Sequence, residues 1–466
     1  MPPGFSFLDR KHYLVYVLML LFFVTAVALV LWFGSAPAQT NTSAPGSSLT
    51  NTLWQNFRSP LGVLLVQIVV ILAAAALVSR LFRRIGQPPV MGEMIAGIVL
   101  GPSVLGFFFP EAMSFVFPPS SLETLRLLSQ IGVVLFMFIV GMELNLTHVR
   151  EKGTAAVMIS HASIIVPFVL GTALSLFLYR DLAPPGTSFS AFALFIGVAM
   201  SITAFPVLAR ILEDRALTQT QLGSLALTCA AVDDVTAWCI LALVIAIVQA
   251  SGVTVSLVTL VFTAVFAAAM IFLVRPQLRR MVNEATGTHV HTRRLIAGVL
   301  AFVLISALVT ETIGIHALFG AFIAGVVMPP SADFRTFLRE KLEAFSAAAL
   351  LPLFFAFTGL RTQIGLLNDW QSWALCGVII LVAIAGKLGG SMLMSRWTGM
   401  NWTQSFSIGV LMNTRGLVEL VVLNIGYDLG ILSGRIFAMM VLMALVTTFM
   451  TGPLLSLVNI RAKGTT

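Results

Sequence analysis

Long runs of apolar residues recur along the whole chain and indicate its fold class. Each run is about 20 residues long, the length that an α-helix needs to cross the apolar part of a bilayer. Strands of a membrane barrel would instead alternate apolar and polar residues within segments of about 10 residues. The pattern therefore predicts an all-α polytopic membrane protein with 13–14 transmembrane helices. The fourteen segments predicted as helices are 13–33, 60–82, 89–108, 124–145, 154–178, 189–212, 220–249, 253–274, 293–313, 314–329, 342–365, 372–396, 403–427 and 434–458.

The first segment is open to two interpretations. Basic residues precede it, and Ala36-Pro37-Ala38 after it resembles the small-residue cleavage site of a signal peptide. Residues 1–34 are therefore predicted as a signal peptide or as an extra N-terminal membrane helix. Residues 35–59 are rich in Ser, Thr, Asn and Pro and are predicted as a polar external linker.

Composition and charge exclude a soluble globule and predict an orientation. The chain is 58% apolar and 10% charged, with a formal net charge of +8, whereas a soluble domain is roughly 45–50% apolar and about 25% charged. With a cytoplasmic N-terminus, twenty of the 27 Lys and Arg residues fall in cytoplasmic loops, and outer loops 109–123, 250–252 and 366–371 have none. Since cytoplasmic loops are enriched in Lys and Arg, residues 459–466 are predicted as a short cytoplasmic tail. The net charge needs no nucleic-acid partner, and we expect no appended regulatory domain.

A short motif occurs twice, in helices of opposite orientation. Residues 92–102 and residues 320–330 share six of eleven positions at a constant offset of 228. In the predicted topology the first copy runs outward and the second inward, so the repeats are inverted. Repeat 1 is predicted at 60–249 and repeat 2 at 293–458, with a linker helix at 253–274. Inverted repeats are common in secondary transporters, which bind their substrate near the membrane midplane.

Two adjacent acids, Asp233 and Asp234, lie in the middle of the apolar segment 220–249. Charges within a membrane segment are costly and mark functional sites. Adjacent helical residues point about 100° apart, so one carboxylate can face a cavity while the other meets a partner. A deprotonated carboxylate is a hard oxygen ligand for a small cation. A proton and a cation therefore compete for one carboxylate, which is the requirement for exchange.

Two other apolar segments are interrupted at matching places in the two repeats. Pro206 removes a hydrogen-bond donor and crowds the preceding turn, so a break is predicted there. The hydroxyls of Ser201 and Thr203, with carbonyls freed by the break, are candidate cation ligands. The polar cluster Asn413-Thr414-Arg415-Gly416 interrupts the second segment. Interrupted helices at corresponding positions point to a transport site.

Three further charges are expected near these breaks. Arg415 is predicted to neutralise the carbonyl ends of the half-helices, and Glu419, four residues on, is its predicted partner. Lys387 lies centrally in its apolar segment, and a buried Lys is costly unless it is paired. Asp233 or Asp234 is the predicted partner of Lys387.

At these residues the chain resembles the monovalent cation:proton antiporter-2 family, closest to the plant cation/H⁺ exchangers and their bacterial relatives. The resemblance spans about residues 60–458 and rests on residues 201–212, 230–238 and 413–420. It implies a sodium/proton-antiporter-like fold, with a dimerisation domain, two inverted six-helix repeats and two crossed discontinuous helices. It also implies that Asp234 carries cation and proton in turn. Asp233 stands where the plant branch often has Asn; two acids with the Lys that Lys387 matches imply electrogenic exchange.

Together these features predict a secondary-active monovalent cation (Na⁺ or K⁺)/proton antiporter, and not an enzyme. Alternating access, a homodimer and the plasma membrane are expected, with Na⁺ or K⁺ and H⁺ as substrates, Asp234 and Asp233 as ligands of the transported cation, the lipid bilayer as surroundings, and no cofactor. One alternative is a sodium-coupled organic anion symporter, against which the acid pair argues. The other is a gated cation channel or non-transporting sensor, against which the inverted repeats argue. The choice between Na⁺ and K⁺ stays open.

Overall fold

A computed structural model of the chain describes Thr25 and residues 55–143, 146–218, 220–249, 253–285, 292–329 and 331–458. The predicted N-terminal helix, apart from Thr25, lies outside the described residues, as do the tail and most of the polar linker. Within these described ranges the regular secondary structure is entirely helical.

The helices of the described residues are numbered here in chain order. They are α1 (Pro60–Arg84), α2 (Pro89–Leu100), α3 (Leu105–Phe108), α4 (Pro110–Val116), α5 (Pro119–Glu143), α6 (Leu146–Leu182), α7 (Phe189–Ser201), α8 (Phe205–Asp214), α9 (Gln221–Gln249), α10 (Val253–Ala269), α11 (Arg275–Ala285), α12 (Thr292–Ile313), α13 (Ala317–Val326), α14 (Ala332–Phe345), α15 (Leu351–Arg361), α16 (Trp370–Ile384), α17 (Gly390–Trp397), α18 (Trp402–Met412), α19 (Leu417–Asp428) and α20 (Gly434–Leu457). Single π-helical turns at Met270–Val274, Ser346–Leu350 and Ala385–Gly389 join α10 to α11, α14 to α15 and α16 to α17.

The predicted membrane segments are found as helices throughout the described residues. Eleven helical segments there are long and apolar enough to cross a membrane. The short apolar helix α13 and the broken pair α18–α19 supply the other two of the thirteen segments predicted between residues 60 and 458. The all-α polytopic prediction is confirmed.

One boundary differs from its prediction for a physical reason. The segment expected to start at 342 begins ten residues earlier, at Ala332. The first turns of α14 are amphipathic and carry Asp333, Arg335, Arg339 and Glu340. A search for uninterrupted apolar runs does not find a helix of this kind.

The repeated glycine motif is where the two repeats pack against each other. A Cβ atom on Gly97 of α2 would lie 2.1 Å from the carbonyl oxygen of Ala356 on α15. The equivalent Gly325 of α13 meets the carbonyl oxygen of Phe138 on α5, also at 2.1 Å. Only glycine permits such backbone approach between helices. Each repeat thus lends one helix to a backbone contact with the other.

Most of the helices from α2 to α20 form two groups. Helices α2, α5, α12, α13 and α15 pack on one another and form the glycine-packed bundle. Helices α6–α9 and α16–α20 pack on one another and form the crossing group, which contains both broken helices. The acids predicted as functional lie on α9, within the crossing group.

Candidate ion-binding site

The two broken helices meet at their breaks. The first break is residues 202–204, between α7 and α8, and the second is residues 413–416, between α18 and α19. The Ala204 N–H donates to the Thr414 carbonyl at 3.0 Å, a backbone hydrogen bond that joins the two breaks. The Thr203 hydroxyl lies 3.3 Å from the Met412 carbonyl.

Pro206 lies just after the first break, in the first turn of α8. A proline is favoured there because the N–H groups of the first helical turn have no partner within the helix. Gly416 is the residue before α19, and a Cβ on it would lie 2.8 Å from a methyl carbon of Val207. The breaks therefore pack closely as well as hydrogen-bond.

The crossing point separates two buried apolar clusters. α7 and α19 belong to one cluster, with Phe195 and Val421 among its members. α8 and α18 belong to another, with Leu208 and Leu411 among its members. Buried polar and charged side chains occupy the layer between them, so the site is shielded by apolar residues on both sides.

Two buried basic side chains bind the C-terminal end of α7. The Arg415 guanidinium donates to the carbonyls of Ala199 at 3.0 Å and Met200 at 2.7 Å. The Lys387 ammonium donates to the carbonyl of Ser201. Helix C-termini leave carbonyls without partners and carry partial negative charge. Both side chains therefore supply hydrogen-bond donors and positive charge to the carbonyls at the end of α7.

Arg415 also forms an ion pair within its own segment. Its guanidinium lies 3.2 Å from the carboxylate of Glu419, and both side chains are 0% exposed. Glu419 is in the first turn of α19, where the positive end of the helix favours an acid. The structure thus brings together the two residues that sequence spacing paired.

Asp233 accepts hydrogen bonds from donors on three other elements. Its Oδ1 accepts from Ser160 at 2.5 Å, and its Oδ2 accepts from Ser163 at 3.1 Å. Oδ2 also accepts from Thr203 at 2.6 Å and from Lys387 at 3.0 Å. Charge-assisted bonds of this kind are about twice as strong as neutral ones. Asp233 is therefore a fixed acceptor at the centre of the crossing.

Lys387 uses all three of its N–H donors. They go to Asp233, to the Ser163 carbonyl at 3.0 Å and to the Ser201 carbonyl. Lys387 and Asp233 are both 0% exposed. Of the two acids predicted as partners, the ammonium pairs with Asp233. The residue lies in the π-helical turn Ala385–Gly389, a feature that is frequent at functional sites.

Asp234 differs from its neighbour in having no partner. It is completely buried, and neither carboxylate oxygen accepts a hydrogen bond from any described residue. An ionised carboxylate without a partner is very costly in a buried site. Asp234 therefore needs a proton or a cation to be stable where it lies.

The charges of this layer do not balance. Three acids, Asp233, Asp234 and Glu419, and two bases, Lys387 and Arg415, are fully buried. If all five are ionised, the layer carries one net negative charge. One proton or one monovalent cation restores neutrality.

Ser201, a predicted ligand, and two polar residues of the second break make other contacts with their side chains. The Ser201 hydroxyl donates back to the Val198 carbonyl of its own helix at 2.8 Å, so only its backbone carbonyl takes part in the site. The buried Asn413 lies beside α20, its amide nitrogen 3.7 Å from the Met450 sulfur. The Thr414 hydroxyl is 3.5 Å from that of Thr451, also on α20.

Sequence reasoning missed three residues that contact this site. Ser160 and Ser163 of α6 donate to Asp233. The Thr448 hydroxyl of α20 donates to the Arg415 carbonyl at 2.7 Å and accepts from the Arg415 N–H at 3.1 Å, which completes the backbone of the second break. The two serines are three residues apart and hence on one helix face. Single hydroxyl residues are too common in apolar helices for this spacing to identify them.

Comparison with known proteins agrees with this architecture. The family model described as "Sodium/hydrogen exchanger, transmembrane" matches residues 68–459. The chain belongs to this family.

Several named relatives are similar over most of this chain. The Na⁺/H⁺ antiporter NhaS4 of Synechocystis sp. is 45% identical over 393 residues, which are 84% of this chain and 96% of that protein. Cation/H⁺ antiporter 17 of Arabidopsis thaliana is 41% identical over 89% of this chain and 51% of its own length. K⁺/H⁺ antiporter 1 of Saccharomyces cerevisiae is 35% identical over 90% of this chain and 49% of its own length. The chain spans about half the length of these last two.

A solved structure supports the fold. The sodium proton antiporter MjNhaP1 from Methanocaldococcus jannaschii aligns with a TM-score of 0.64 over 87% of this chain and 100% of that one, at 13% sequence identity. At this identity the likeness concerns the fold alone, which is a sodium/proton-antiporter-like fold.

Proposed function

We propose that this protein is a secondary-active antiporter that exchanges a monovalent cation, Na⁺ or K⁺, for protons by alternating access. The observation that carries the proposal is Asp234, a completely buried carboxylate without a partner in a layer that lacks one positive charge. Relatives named as Na⁺/H⁺, K⁺/H⁺ and cation/H⁺ antiporters support it.

Asp234 is the carrier in this mechanism. A proton neutralises it covalently, whereas a cation neutralises it by coordination, and one excludes the other. Because the bare carboxylate is costly inside the apolar layers, the site is stable during reorientation only when it is loaded. The obligatory loading couples cation movement in one direction to proton movement in the other.

The neighbouring charges hold the site in shape. Asp233 is fixed by Ser160, Ser163, Thr203 and Lys387, and Arg415 completes the end of α7. Movement of the crossing group against the glycine-packed bundle would expose Asp234 to each side in turn, as in other transporters with inverted repeats.

In this proposal the Asp233–Lys387 ion pair provides the second proton that electrogenic exchange requires. For net charge to move, a second proton must leave when the cation binds. The Asp233–Lys387 pair is its source in this proposal, since a cation beside Asp234 repels the ammonium. Exchange would then be electrogenic.

The organisation and location of the protein are part of the same proposal. We infer a homodimer in the plasma membrane. We also infer a cytoplasmic C-terminus, which the distribution of Lys and Arg among the loops supports. Repeats at 60–249 and 293–458 with the linker helix at 253–274 would form the transporter domain. In this proposal residues 1–34 are a signal peptide or an extra N-terminal membrane helix, and residues 35–59 are a polar external linker.

The proposal is tested in proteoliposomes that contain a pH-sensitive dye. Addition of Na⁺, K⁺ or Li⁺ to one side should move protons to that side, and the ranking of the three cations gives the substrate. Asp234→Asn should abolish exchange, because the amide neither binds the proton nor balances the cation. Asp181→Asn, at an exposed aspartate near the end of α6, is the matched control and should be active.

Two results would contradict the proposal. Exchange by Asp234→Asn at a rate near wild type would assign the carrier role to another residue. A cation current without coupled proton movement would indicate a channel, which is the alternative class.

A further inference from the structure

An ion-pair cluster holds the C-terminal end of α19. Asp428, the last residue of α19, is bound by Arg361, the last residue of α15. Arg126 of α5 lies 3.5 Å from the other oxygen of the same carboxylate. These three side chains are 19–29% exposed, so solvent screens them only in part.

Other contacts join the same helices. Arg361 donates to the Asn424 side-chain oxygen at 2.9 Å, and the Asn424 amide donates to the Thr358 hydroxyl at 2.9 Å. The Arg361 guanidinium also lies over the rings of Tyr427 at 4.6 Å and Phe357 at 5.1 Å. α19 belongs to the crossing group, whereas α5 and α15 belong to the glycine-packed bundle. The cluster therefore links the two groups.

The cluster lies at the end of the molecule that the loop charges place outside. At the opposite end the Gln87 amide, just before α2, donates a hydrogen bond to the Phe449 carbonyl of α20 at 3.2 Å. Between the cluster and the acids, Trp238 of α9 stacks on Phe322 of α13 with ring centroids 5.9 Å apart. A stacked aromatic pair and a cluster of ion pairs thus join the two groups on the outer side of Asp234.

We propose that Asp428, Arg361 and Arg126 form a latch that keeps the outer side of the transporter closed and must open before Asp234 is exposed there. The inference rests on the proposed function, because alternating access requires the two groups to move relative to each other. α19 begins at the crossing and ends at Asp428, so its release frees the crossing itself. A contact present in one state only shifts the equilibrium toward that state.

The test measures access to the site from outside. Ala237 of α9 is 2% exposed and lies one helical turn beyond the acids, on the outer side. Ala237→Cys is made in a chain whose native cysteines, Cys229, Cys239 and Cys376, are replaced. A membrane-impermeant thiol reagent added to intact cells then reports outward opening by its rate of labelling.

Asp428→Asn should speed labelling about tenfold, within the usual range of coupling between conformational states. Arg361→Gln breaks the same link from the other side and should act in the same direction. Glu213→Gln is the matched control: Glu213 pairs with Arg210 on its own helix, 3.3 Å away, is 69% exposed and has no ion pair with a latch residue. It should leave the rate unchanged.

A second measurement does not depend on the replaced cysteines. In the full native chain, Asp428→Asn should lower the apparent KM for cation on the outer side and raise it on the inner side, because the outward state becomes more populated. Labelling that Asp428→Asn and Arg361→Gln both leave at the wild-type rate would overturn the latch, whether or not the protein transports. If the wild type shows no cation/proton exchange but both variants are labelled faster, the proposed antiport is contradicted and the latch is still supported.

Discussion

The two adjacent acids should respond in opposite ways to the same substitution. Asp233→Asn removes the negative charge that balances Lys387 and leaves the ammonium with neutral acceptors only, among them the carbonyls of Ser163 and Ser201. Removing one partner of a buried ion pair costs about 3–5 kcal/mol. Asp234→Asn removes a buried carboxylate that has no partner, so the free energy of unfolding should stay the same or rise. The two variants should therefore differ by at least about 3 kcal/mol.

That difference is more than about a hundredfold in the unfolding equilibrium constant. Unfolding of each purified variant is followed in mixed micelles of increasing SDS content, with choline as the only salt cation. Cation binding supplies an internal control, since a ligand at 100 times its Kd adds about 2.7 kcal/mol of stability. Wild type should gain this from Na⁺ or K⁺, and Asp234→Asn should not. Equal losses of stability in both variants would refute the assigned partners.

Two other predictions concern the charge movement and the bundle. Asp233→Asn should exchange cations with less dependence on membrane potential than wild type, because the substitution removes the pair proposed to release the second proton and each charge moved contributes about 2.3 kcal/mol per 100 mV. Exchange is measured in proteoliposomes at zero and at imposed potential. A wild type insensitive to potential would exclude electrogenic exchange. Gly97→Ala and Gly325→Ala should each lower the thermal midpoint strongly, because the new Cβ would lie 2.1 Å from a backbone oxygen, whereas Gly298→Ala, with nothing within 4 Å, should not.

Much of the fold was predictable because its determinants are local. The length of an apolar run and the cost of a charge within it are properties of the segment itself, so the helices between residues 60 and 458 could be read from the chain. The same holds for the breaks, since Pro206 and the cluster 413–416 are polar or helix-breaking within apolar runs. The amphipathic start of α14 was missed because its charged residues, such as Arg335 and Glu340, interrupt the apolar run on which the prediction depends.

The partners within the site were less predictable, because they depend on how helices are rotated and crossed. Asp233 and Asp234 are indistinguishable as partners for Lys387 in the sequence, and only the rotation of α9 decides between them. The donors Ser160 and Ser163 acquire their role from the position of α6 beside α9. The sequence around a hydroxyl residue in an apolar helix does not indicate which other helix it will face.

The contacts within the glycine-packed bundle differ in kind from those between the bundle and α19. In the glycine-packed bundle, backbone meets backbone at Gly97 and Gly325, so no flexible side chain separates the helices. The contacts described between this bundle and α19, by contrast, are made by side chains, among them Arg361 and Asp428. Side-chain pairs can break and reform without disturbing either helix, whereas helices packed this closely cannot shift without a loss of packing. We therefore expect the side-chain contacts between the bundle and the crossing group, which contains Asp234, to be the ones that break during alternating access.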